Sequence, residues 1–452
     1  MAMKRRTFLK TGCAATCAGL FPGSLWFSSN AVASGGQSPV LVYLFLRGGI
    51  DGLHLVVPYA GPERIAYESL RVNGSVNLAI EESSLRLVDP QWALHPRMGG
   101  EAGDSVDVPG QWLHRRFVQN QLAIVQSVGI KGPPNRSHFD AQAFWDLGTP
   151  GSVVSDTGWL SRYLQVKDPL PPATFASGFG FAGRAQHAWR GSSKALIVDR
   201  PADFGIDGFH SSWVSDNPNA PGHEAAYRRL QPMWAGEDPD HLAYGQRTVE
   251  AVDSLRSVNF SEYQPSGGAI YPNIDLGEQL KNLAQLIKLD SGLVAATLNY
   301  GGWDNHADIG MPEPGNRGHI DHYGDRVEDL SRALDAFYTD LENAPGGNLM
   351  NRVIVAVVSE FGRRLRPNQS AGTDHGYGNM MMVMGGGVQG GLHGTFTGLD
   401  SNSLVQGVDL DVSTDYRQVL AEAMVTRGNF PINRLEQVFP EMGSYSPLGL
   451  FT

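Results

Sequence analysis

The sequence predicts an α/β fold with a mostly parallel central sheet and helices on both faces. Several runs of β-branched and aliphatic residues lack the apolar–polar alternation of a half-exposed strand, so each is expected to be buried on both faces. These runs end in glycines that are followed by acidic residues or histidines, and the carboxyl edge of an open α/β sheet is where ligands bind. With 41% hydrophobic residues in 452, the chain can form a sizeable core.

The first apolar run, residues 40–46, organises the chain and predicts a strand inside a parallel sheet. Three of the five residues 48–52 are glycines, which let the backbone turn tightly and let another group approach closely. Asp51 is left at the carboxyl end of this strand. It could bind a metal ion there, or it could cap the following segment through a side-chain oxygen.

Residues 1–33 predict a twin-arginine signal peptide. Residues 4–10 carry the twin-arginine pattern, residues 13–27 are mostly apolar, and residues 31–33 form a small-x-small cleavage site. The apolar stretch contains Gly, Pro and Ser and is short for a transmembrane helix. We therefore expect a bacterial protein that the twin-arginine translocon exports to the periplasm or beyond, with no stable membrane anchor.

The cysteine count and the net charge limit the classes of function that the protein can have. Both cysteines, Cys13 and Cys17, lie in the signal, so the mature protein is expected to have no thiol and no disulfide. This excludes cysteine-based zinc, iron–sulfur and thiol-nucleophile chemistry and leaves oxygen and imidazole as metal ligands. The formal net charge of −11, with no basic run beyond the signal, argues against nucleic acid or an anionic membrane as a partner.

Residues 121–128 predict a second buried strand, and residues 135–145 after it have helical character. Ser137 stands at the N-cap position of that helix. It could be only the cap, or it could be an exposed nucleophile where backbone N–H groups hold an anion. His138 could assist it as a base, although no Gly-x-Ser-x-Gly elbow is present.

Residues 34–452 are expected to form one α/β domain with an insertion at about residues 150–290. That stretch is rich in Pro, Gly, Ser, Trp and His and is interpreted as a cap that shapes the substrate pocket. Helices are predicted within it at residues 158–165, 243–258 and 274–289, the last from its apolar stripe.

The buried pattern returns at residues 292–300, a predicted strand that leads through two glycines to Asp304 and His306. Two residues apart in an extended segment, these side chains point to the same side and can bind one metal ion. An amphipathic helix is predicted at residues 324–343.

Residues 352–359 predict the most obvious central strand in the chain and lead directly into Glu360. Asp374 and His375 follow in a glycine-flanked loop, before a final predicted strand at residues 380–384 and a helix at residues 415–427.

Five motifs in this order resemble the DUF1501 family, which comprises exported bacterial proteins of unknown function. The motifs are Leu46-Arg47-Gly48-Gly49-Ile50-Asp51-Gly52, Arg136-Ser137-His138-Phe139-Asp140, Gly302-Trp303-Asp304-Asn305-His306, Ser359-Glu360-Phe361-Gly362-Arg363 and Gly372-Thr373-Asp374-His375-Gly376. That family is similar to the alkaline phosphatase, sulfatase and phosphoglycerate mutase superfamily. The resemblance implies an alkaline phosphatase-like sheet, a nucleophile at a helix start, and one or two metal ions held by strand-end Asp and His residues.

Position by position, the resemblance makes Asp51 the metal ligand of the first strand and Ser137 the nucleophile. Asp304 and His306 match an Asp/His pair from a later strand, although their spacing is shorter than usual.

Two alignments compete for the remaining ligands. By motif, Asp374 and His375 are the superfamily's Asp-His pair. By strand order, Glu360 takes the first position of that pair and His375 supplies the later histidine. Strand order is preferred because Glu360 follows its strand directly. Phe361 then stands where a metal-binding histidine is expected, which puts the second metal position in doubt.

These observations predict an exported metal-dependent hydrolase of phosphate or sulfate esters, acting on a small molecule or a polymer. A divalent ion (Zn, Mn, Ca or Mg) would be bound among Asp51, Asp304, His306, Glu360, Asp374 and His375. Ser137 would attack the ester, and Arg363, Arg136 or the helix N-terminus would neutralise its oxygens. The alternative is a non-catalytic periplasmic binding or assembly protein that keeps the fold and a structural ion, which Phe361 favours.

Overall fold

The structure is a computed structural model, and Ser38–Thr452 form one compact unit within it. It describes residues 38–99, 111–167, 169–173, 176–201, 251, 254–255, 257–309 and 322–452. The predicted signal peptide and most of the predicted helix at residues 243–258 lie outside the described residues.

The elements of the described residues alternate between strands and helices. The strands are β1 (Val40–Arg47), β2 (Val56–Pro58), β3 (Val72–Asn73), β4 (Val76–Asn77), β5 (Arg86–Leu87), β6 (Trp92–Leu94), β7 (Leu122–Gly129), β8 (Gly178–Phe181), β9 (Ala195–Val198), β10 (Ala295–Gly301), β11 (Val353–Val358), β12 (Arg363–Pro367), β13 (Thr373–His375), β14 (Asn379–Gly385), β15 (Gly391–His393) and β16 (Thr414–Asp415). The helices are α1 (Gly52–Leu55), α2 (Gly61–Leu70), α3 (Trp112–Val118), α4 (His138–Leu147), α5 (Trp159–Val166), α6 (Asp275–Lys288), α7 (His322–Glu342), α8 (Tyr416–Glu422, continued by a π-helical turn at Ala423–Arg427) and α9 (Leu435–Val438).

The central sheet has nine strands among the described residues, in the order β15-β7-β14-β11-β1-β10-β8-β9, with β16 also paired to β7. The first strand β1 lies between β10 and β11 and is parallel to both. The sheet is mostly parallel, as the sequence predicts. The exception is β14, which is antiparallel to β11 and β7. The chain stays at the carboxyl edge through the β12–β13 hairpin, so β14 begins at that edge and runs back across the sheet.

The two faces of the sheet carry separate hydrophobic cores, because successive side chains of a strand point to opposite faces. Val40, Val42 and Leu44 of β1 belong to one core, which α3, α6 and α7 cover. Leu41 and Tyr43 belong to the other, which α4, α5, α8 and α9 cover. Helices therefore lie on both faces of the sheet, as the sequence predicts.

The segment that the sequence assigns to an inserted cap lies in the main fold wherever it is described. Strands β8 and β9 extend the central sheet beyond β10, and α5 and α6 cover its two faces. The glycines of β8 hid this strand from sequence analysis. A Cβ on Gly178 would lie 2.6 Å from the Trp189 indole, so the strand uses glycine to admit that ring. Within the described part of the chain, no helix combines the length and the apolar character that crossing a membrane requires.

Candidate metal centre

The carboxyl ends of β1, β10 and β11 meet at one edge of the sheet, and the loops after them are in contact. Gly48 follows β1 with a φ of +126°, and a Cβ there would lie 2.5 Å from the backbone nitrogen of Asp304. Only glycine allows this approach. The Gly48 N–H donates to Glu360 Oε1 at 2.9 Å, which joins the loop after β1 to the loop after β11.

Arg363 connects these loops through its hydrogen bonds. Its side chain is fully buried. It donates from Nε to Gly49 O at 2.6 Å, from Nη1 to Thr373 O at 2.9 Å, and from Nη2 to Asp304 Oδ1 at 2.7 Å and to Gly48 O. Arg363 thus fixes the backbone of three loops and the carboxylate of Asp304. With its guanidinium engaged in this way, it is not placed to receive the oxygens of a substrate.

Three imidazole nitrogens surround Asp304 Oδ1. The Nε2 atoms of His138, His306 and His375 lie 3.3, 3.0 and 3.1 Å from it. Neighbouring ligands of a tetrahedral ion with bonds of 2.0–2.1 Å are about 3.3 Å apart. The ligand atoms of His138, Asp304 and His375 all lie within 4.8 Å of one another. The cluster therefore has the spacing that the ligands of a single ion require.

Two of the histidines are held through their Nδ1 atoms. His138 Nδ1 lies 2.8 Å from Glu360 Oε1, and His375 Nδ1 lies 2.8 Å from the backbone oxygen of Arg136. An ionised carboxylate and a carbonyl only accept hydrogen bonds, so Nδ1 carries the proton and Nε2 carries the lone pair. Metal-binding histidines are commonly held in this way.

The third histidine, His306, is the outermost of the three. Its Nδ1 lies 3.2 Å from Asp374 Oδ1, and Asn368 Nδ2 donates to the same oxygen at 3.2 Å. The side chain of His306 is 45% exposed, against 21% for His138 and 22% for His375. Asp374 thus contacts the cluster through His306, and the cluster is open to solvent on this side.

Glu360 is buried behind His138. Burial works to raise the pKa of Glu360, but hydrogen bonds from His138 and Gln142 lower it, so the group is ionised. The same hydrogen bond raises the pKa of His138. The Gln142 amide donates to Glu360 Oε1 at 2.7 Å. Glu360 therefore orients an imidazole, whereas the sequence places it among the ligands.

Asp304 remains ionised at the centre of the cluster. Burial opposes its ionisation, but the hydrogen bond from the Arg363 guanidinium, together with the nearby imidazoles, holds the pKa of Asp304 well below its usual range. An ionised carboxylate beside imidazole lone pairs is a donor set for a divalent cation.

Asp51 does not join the cluster. Its Oδ1 and Oδ2 accept hydrogen bonds of 2.6 and 2.7 Å from the two terminal nitrogens of Arg71, and Oδ1 also caps α1 by accepting from His54 N at 3.1 Å. Both residues of this ion pair are buried. Arg71 thus neutralises Asp51, and no recognisable motif links the two residues in the sequence. Of the two roles that the sequence leaves open for Asp51, the helix cap describes its position.

Ser137 is the N-cap of α4, where its Oγ accepts from Asp140 N at 3.4 Å. The preceding Arg136, predicted to face the substrate, is paired with Asp409 and donates to Gln406 Oε1 at 3.0 Å. His138 reaches the cluster because α4 begins at that residue.

Three further residues of the site were missed by sequence reasoning. Gln142 lies four residues after His138 on α4, a spacing that places both on one helix face and could have revealed it. Asn368 reaches Asp374 from a loop and offered no such signal. Arg364 lies beside Asp374 in the β12–β13 hairpin and has no hydrogen bond or ion pair within the described part of the chain.

The comparisons with known proteins bear on part of this site. The family model of DUF1501, described as a protein of unknown function, matches residues 278–424. This confirms the resemblance over the segment that contains Asp304, His306, Glu360 and His375, whereas His138 lies before it. No curated protein matches the chain.

Proposed function

We propose that this protein is an exported metal-dependent hydrolase of phosphate or sulfate esters. One divalent ion would be held by His138, Asp304 and His375, with His306 beside them. The observation that carries the proposal is the convergence of imidazole Nε2 atoms on Asp304 Oδ1, with each Nδ1 tied to an acceptor. Such orientation is characteristic of metal-binding histidines.

The donor set favours a transition ion. Magnesium and calcium prefer ligand sets made of oxygen, whereas imidazole suits zinc and its neighbours. Among Zn, Mn, Ca and Mg, a cluster of imidazoles with one carboxylate therefore supports zinc first and manganese second.

Phe361 supports a single ion. Its ring centre lies 4.9 Å from the ring centres of both His138 and His375. An aromatic ring thus packs against the cluster at the position where the superfamily resemblance implies a histidine for a second ion.

When bound, a divalent ion would polarise an ester oxygen and lower the pKa of a coordinated water. The protein's own groups would hold the ligand side chains in place and orient them. Glu360 keeps His138 in place, and Arg363 keeps Asp304 ionised. Among the described residues, the guanidinium of Arg364 has no hydrogen bond or ion pair and could receive an anionic oxygen. Ser137 precedes His138 in the chain, and its role as the nucleophile stays a prediction.

One observation favours a second candidate, a periplasmic binding or assembly protein that keeps a structural ion. Arg363 and Arg136 are the two arginines expected to stabilise the ester, and both are engaged by protein groups. A cluster that binds an ion without turning over an ester would fit this arrangement.

Metal content and ester hydrolysis test both candidates. Protein purified after native export is analysed for bound metals and then assayed with p-nitrophenyl phosphate and p-nitrophenyl sulfate. We expect one bound ion and hydrolysis of one of the esters, both lost in His375→Ala and Asp304→Asn. His393→Ala is the matched control, because His393 lies on β15 away from the cluster. An ion without hydrolysis of either ester would favour the second candidate, and protein without an ion would contradict both.

Export is tested separately. Replacing Arg5 and Arg6 by lysines is expected to leave the precursor in the cytoplasm, because the twin-arginine pair is the recognition signal. Cell fractionation measures this, and intact mass of the exported protein is expected to place its first residue at Ser34. A normal periplasmic yield of the double-lysine variant would contradict the twin-arginine route.

A further inference from the structure

His138 and His375 reach the candidate metal centre on two separate segments of the chain. His138 follows the loop of residues 130–136, which belongs to no helix or strand, and His375 ends β13 of the β12–β13 hairpin. Their ring centres lie 4.2 Å apart. Both imidazoles can face one centre only if the loop and the hairpin are held in a fixed relative position.

A direct contact joins the hairpin to this loop. His375 Nδ1 lies 2.8 Å from Arg136 O, which keeps the proton on Nδ1 and the lone pair on Nε2. The orientation of the imidazole therefore depends on where this carbonyl is held. Because the loop is irregular, the side chain of Arg136 is the group that can hold it.

The guanidinium of Arg136 is bound by Asp409 and Gln406. The Asp409 carboxylate accepts a hydrogen bond from Arg136 Nη2, and Gln406 Oε1 accepts one from the same nitrogen at 3.0 Å. The side chain of Asp409 is fully buried, whereas that of Arg136 is 26% exposed. Burial raises the pKa of Asp409, and the Arg136 guanidinium opposes this rise. Asp409 thus anchors a surface residue to the interior of the protein.

A tight turn brings these two acceptors together. Val408 N donates to Val405 O at 3.2 Å, and the central residues Gln406 and Gly407 have φ of +56° and +70°. This is the pattern of a type I′ turn, in which Gly, Asn and Asp dominate. Glutamine is strained at positive φ, and such strain persists where the surrounding contacts over-determine the backbone.

The turn is fixed to the β12–β13 hairpin. The Leu365 N–H of β12 donates to Val408 O at 3.2 Å. Leu404 and Leu410, on either side of the turn, belong to the same hydrophobic cluster as Leu365. The buried partner of the ion pair therefore belongs to the hairpin side of the site, and the exposed partner belongs to the loop.

We propose that Asp409 is a positioning residue of the metal centre. Its ion pair holds Arg136 O where His375 Nδ1 can donate to it, and it fixes the segment of His138 on that of His375. The inference rests on the metal binding that is part of the proposed function and is independent of hydrolysis.

Metal affinity is the first test. Asp409→Asn leaves no buried charge, because the partly exposed Arg136 can turn to solvent. We expect its affinity for Zn²⁺, measured by competition with a chelator, to be about tenfold lower, at the low end of the range for groups that orient metal-binding histidines. Equal affinities of this variant and the parent protein would overturn the proposal.

Asp335→Asn is the matched control for lost stability. It removes the charge of another buried aspartate, which pairs with Arg116 between α3 and α7. Its affinity for Zn²⁺ should equal that of the parent protein. An equal loss of affinity in both variants would assign the effect to stability and overturn the proposal.

The second test needs no metal ion. At mildly alkaline pH, where imidazoles are neutral, long-range ¹H–¹⁵N NMR of the metal-free protein shows which ring nitrogen carries the proton. His375 should carry it on Nδ1 in the parent protein and on either nitrogen in Asp409→Asn. His138, which Glu360 orients, should keep it on Nδ1 in both proteins.

An unchanged His375 signal, or equal changes in the signals of His375 and His138, would overturn the proposal. A parent protein that binds no ion would contradict the proposed function, and the NMR comparison would still decide whether Asp409 orients His375.

A double-mutant cycle tests whether Asp409 acts through Arg136. If the two side chains act as one pair, Asp409→Asn combined with Arg136→Met should weaken Zn²⁺ binding no more than either single substitution. Circular dichroism checks that the three variants are folded. Losses that multiply in the double variant would overturn the assignment of a shared role.

Discussion

Two neighbouring regions of this protein combine an aspartate, an arginine and histidines, yet they are opposite in character. At the candidate metal centre, Asp304 accepts one hydrogen bond from Arg363 and faces three partly exposed imidazoles. Around Asp51, Arg71 occupies both carboxylate oxygens. One arginine leaves a carboxylate open to a ligand, and the other closes it.

The histidines beside Asp51 share this closed character. His54 and His95 are buried, with ring centres 5.6 Å apart. Among the described residues, neither ring nitrogen of His54 has a hydrogen-bond partner, and His95 Nε2 has none. Burial lowers the pKa of His54 to about 4 despite the nearby Asp51. At this sheet edge, the aspartate and histidines that could hold an ion are therefore those whose imidazole nitrogens face one another and solvent.

The largest expected difference between the two regions is in metal content. His375→Ala removes a ligand nitrogen and is expected to abolish stoichiometric metal binding, whereas Asp51→Asn should leave it intact. Asp51→Asn should instead lower the free energy of unfolding by about 3–5 kcal/mol, because Arg71 is left buried without its counter-charge. Metal analysis and denaturant titration measure the two effects. Metal loss from a folded Asp51→Asn protein would show that Asp51 takes part in metal binding and would contradict this prediction.

The next effect is the pH dependence of the closed region. Because folding lowers the pKa of His54 from 6.5 to about 4, the unfolded chain binds more protons between these values. The stability contributed by neutral His54 is complete above pH 6.5 and is lost as the pH falls toward 4, by about 3 kcal/mol. Denaturant titration of metal-free protein across this range measures the loss.

His54→Leu is the variant for this test, because the ring nitrogens that it removes have no partners among the described residues. It is expected to reduce the pH dependence, with the remainder due to His95, whose pKa burial also lowers, and to cost little stability at neutral pH. The same slope in the variant as in the parent protein would assign the acid sensitivity to other groups.

A smaller effect is expected behind the open cluster. Glu360→Gln keeps the shape of the side chain but removes the charge that orients His138, and it should weaken metal binding about 10–100-fold without unfolding the protein. Competition with a chelator measures this. Glu342→Gln is the matched control, because it alters a carboxylate at the end of α7 that pairs with Arg116 of α3. Complete loss of metal from Glu360→Gln would instead make Glu360 a ligand.

The smallest expected effect on stability is at Ser137. Its capping hydrogen bond is long, at 3.4 Å, so Ser137→Ala should cost about 1 kcal/mol at most and keep the ion. Ser137→Asp should retain the cap. Turnover of an ester then separates the two roles of this serine. Loss of several orders of magnitude in both variants would identify the nucleophile, and full activity in Ser137→Ala would remove it from the mechanism.

Sequence reasoning located the central strands because their signal is local. The predicted strand at residues 352–359 corresponds to Val353–Val358, and the one at residues 121–128 to Leu122–Gly129. The helix predicted at residues 274–289 corresponds to Asp275–Lys288. Long buried runs and long amphipathic stripes are unambiguous patterns.

The roles of residues within the site are harder to predict from sequence, because each role depends on residues that are distant along the chain. The neighbourhood of Asp304 and His375 follows from strand ends that meet at one edge. Asp51 is unavailable to a metal ion because of Arg71, which lies in the turn after α2. That Glu360 orients His138 depends on how α4 lies over the end of β11. No local pattern contains these pairings.

The reversed strand β14 has a consequence for how the chain assembles. It joins β7 to β11, and Val128 and its partner Asn379 are 251 positions apart (379 − 128). Until residues 379–385 are in place, β7 cannot join the half of the sheet that contains β1, and both exposed edges can pair with other chains. Such distant pairing is slow to form. We therefore expect chains truncated before residue 379 to aggregate, and synthesis to be nearly complete before the sheet can close.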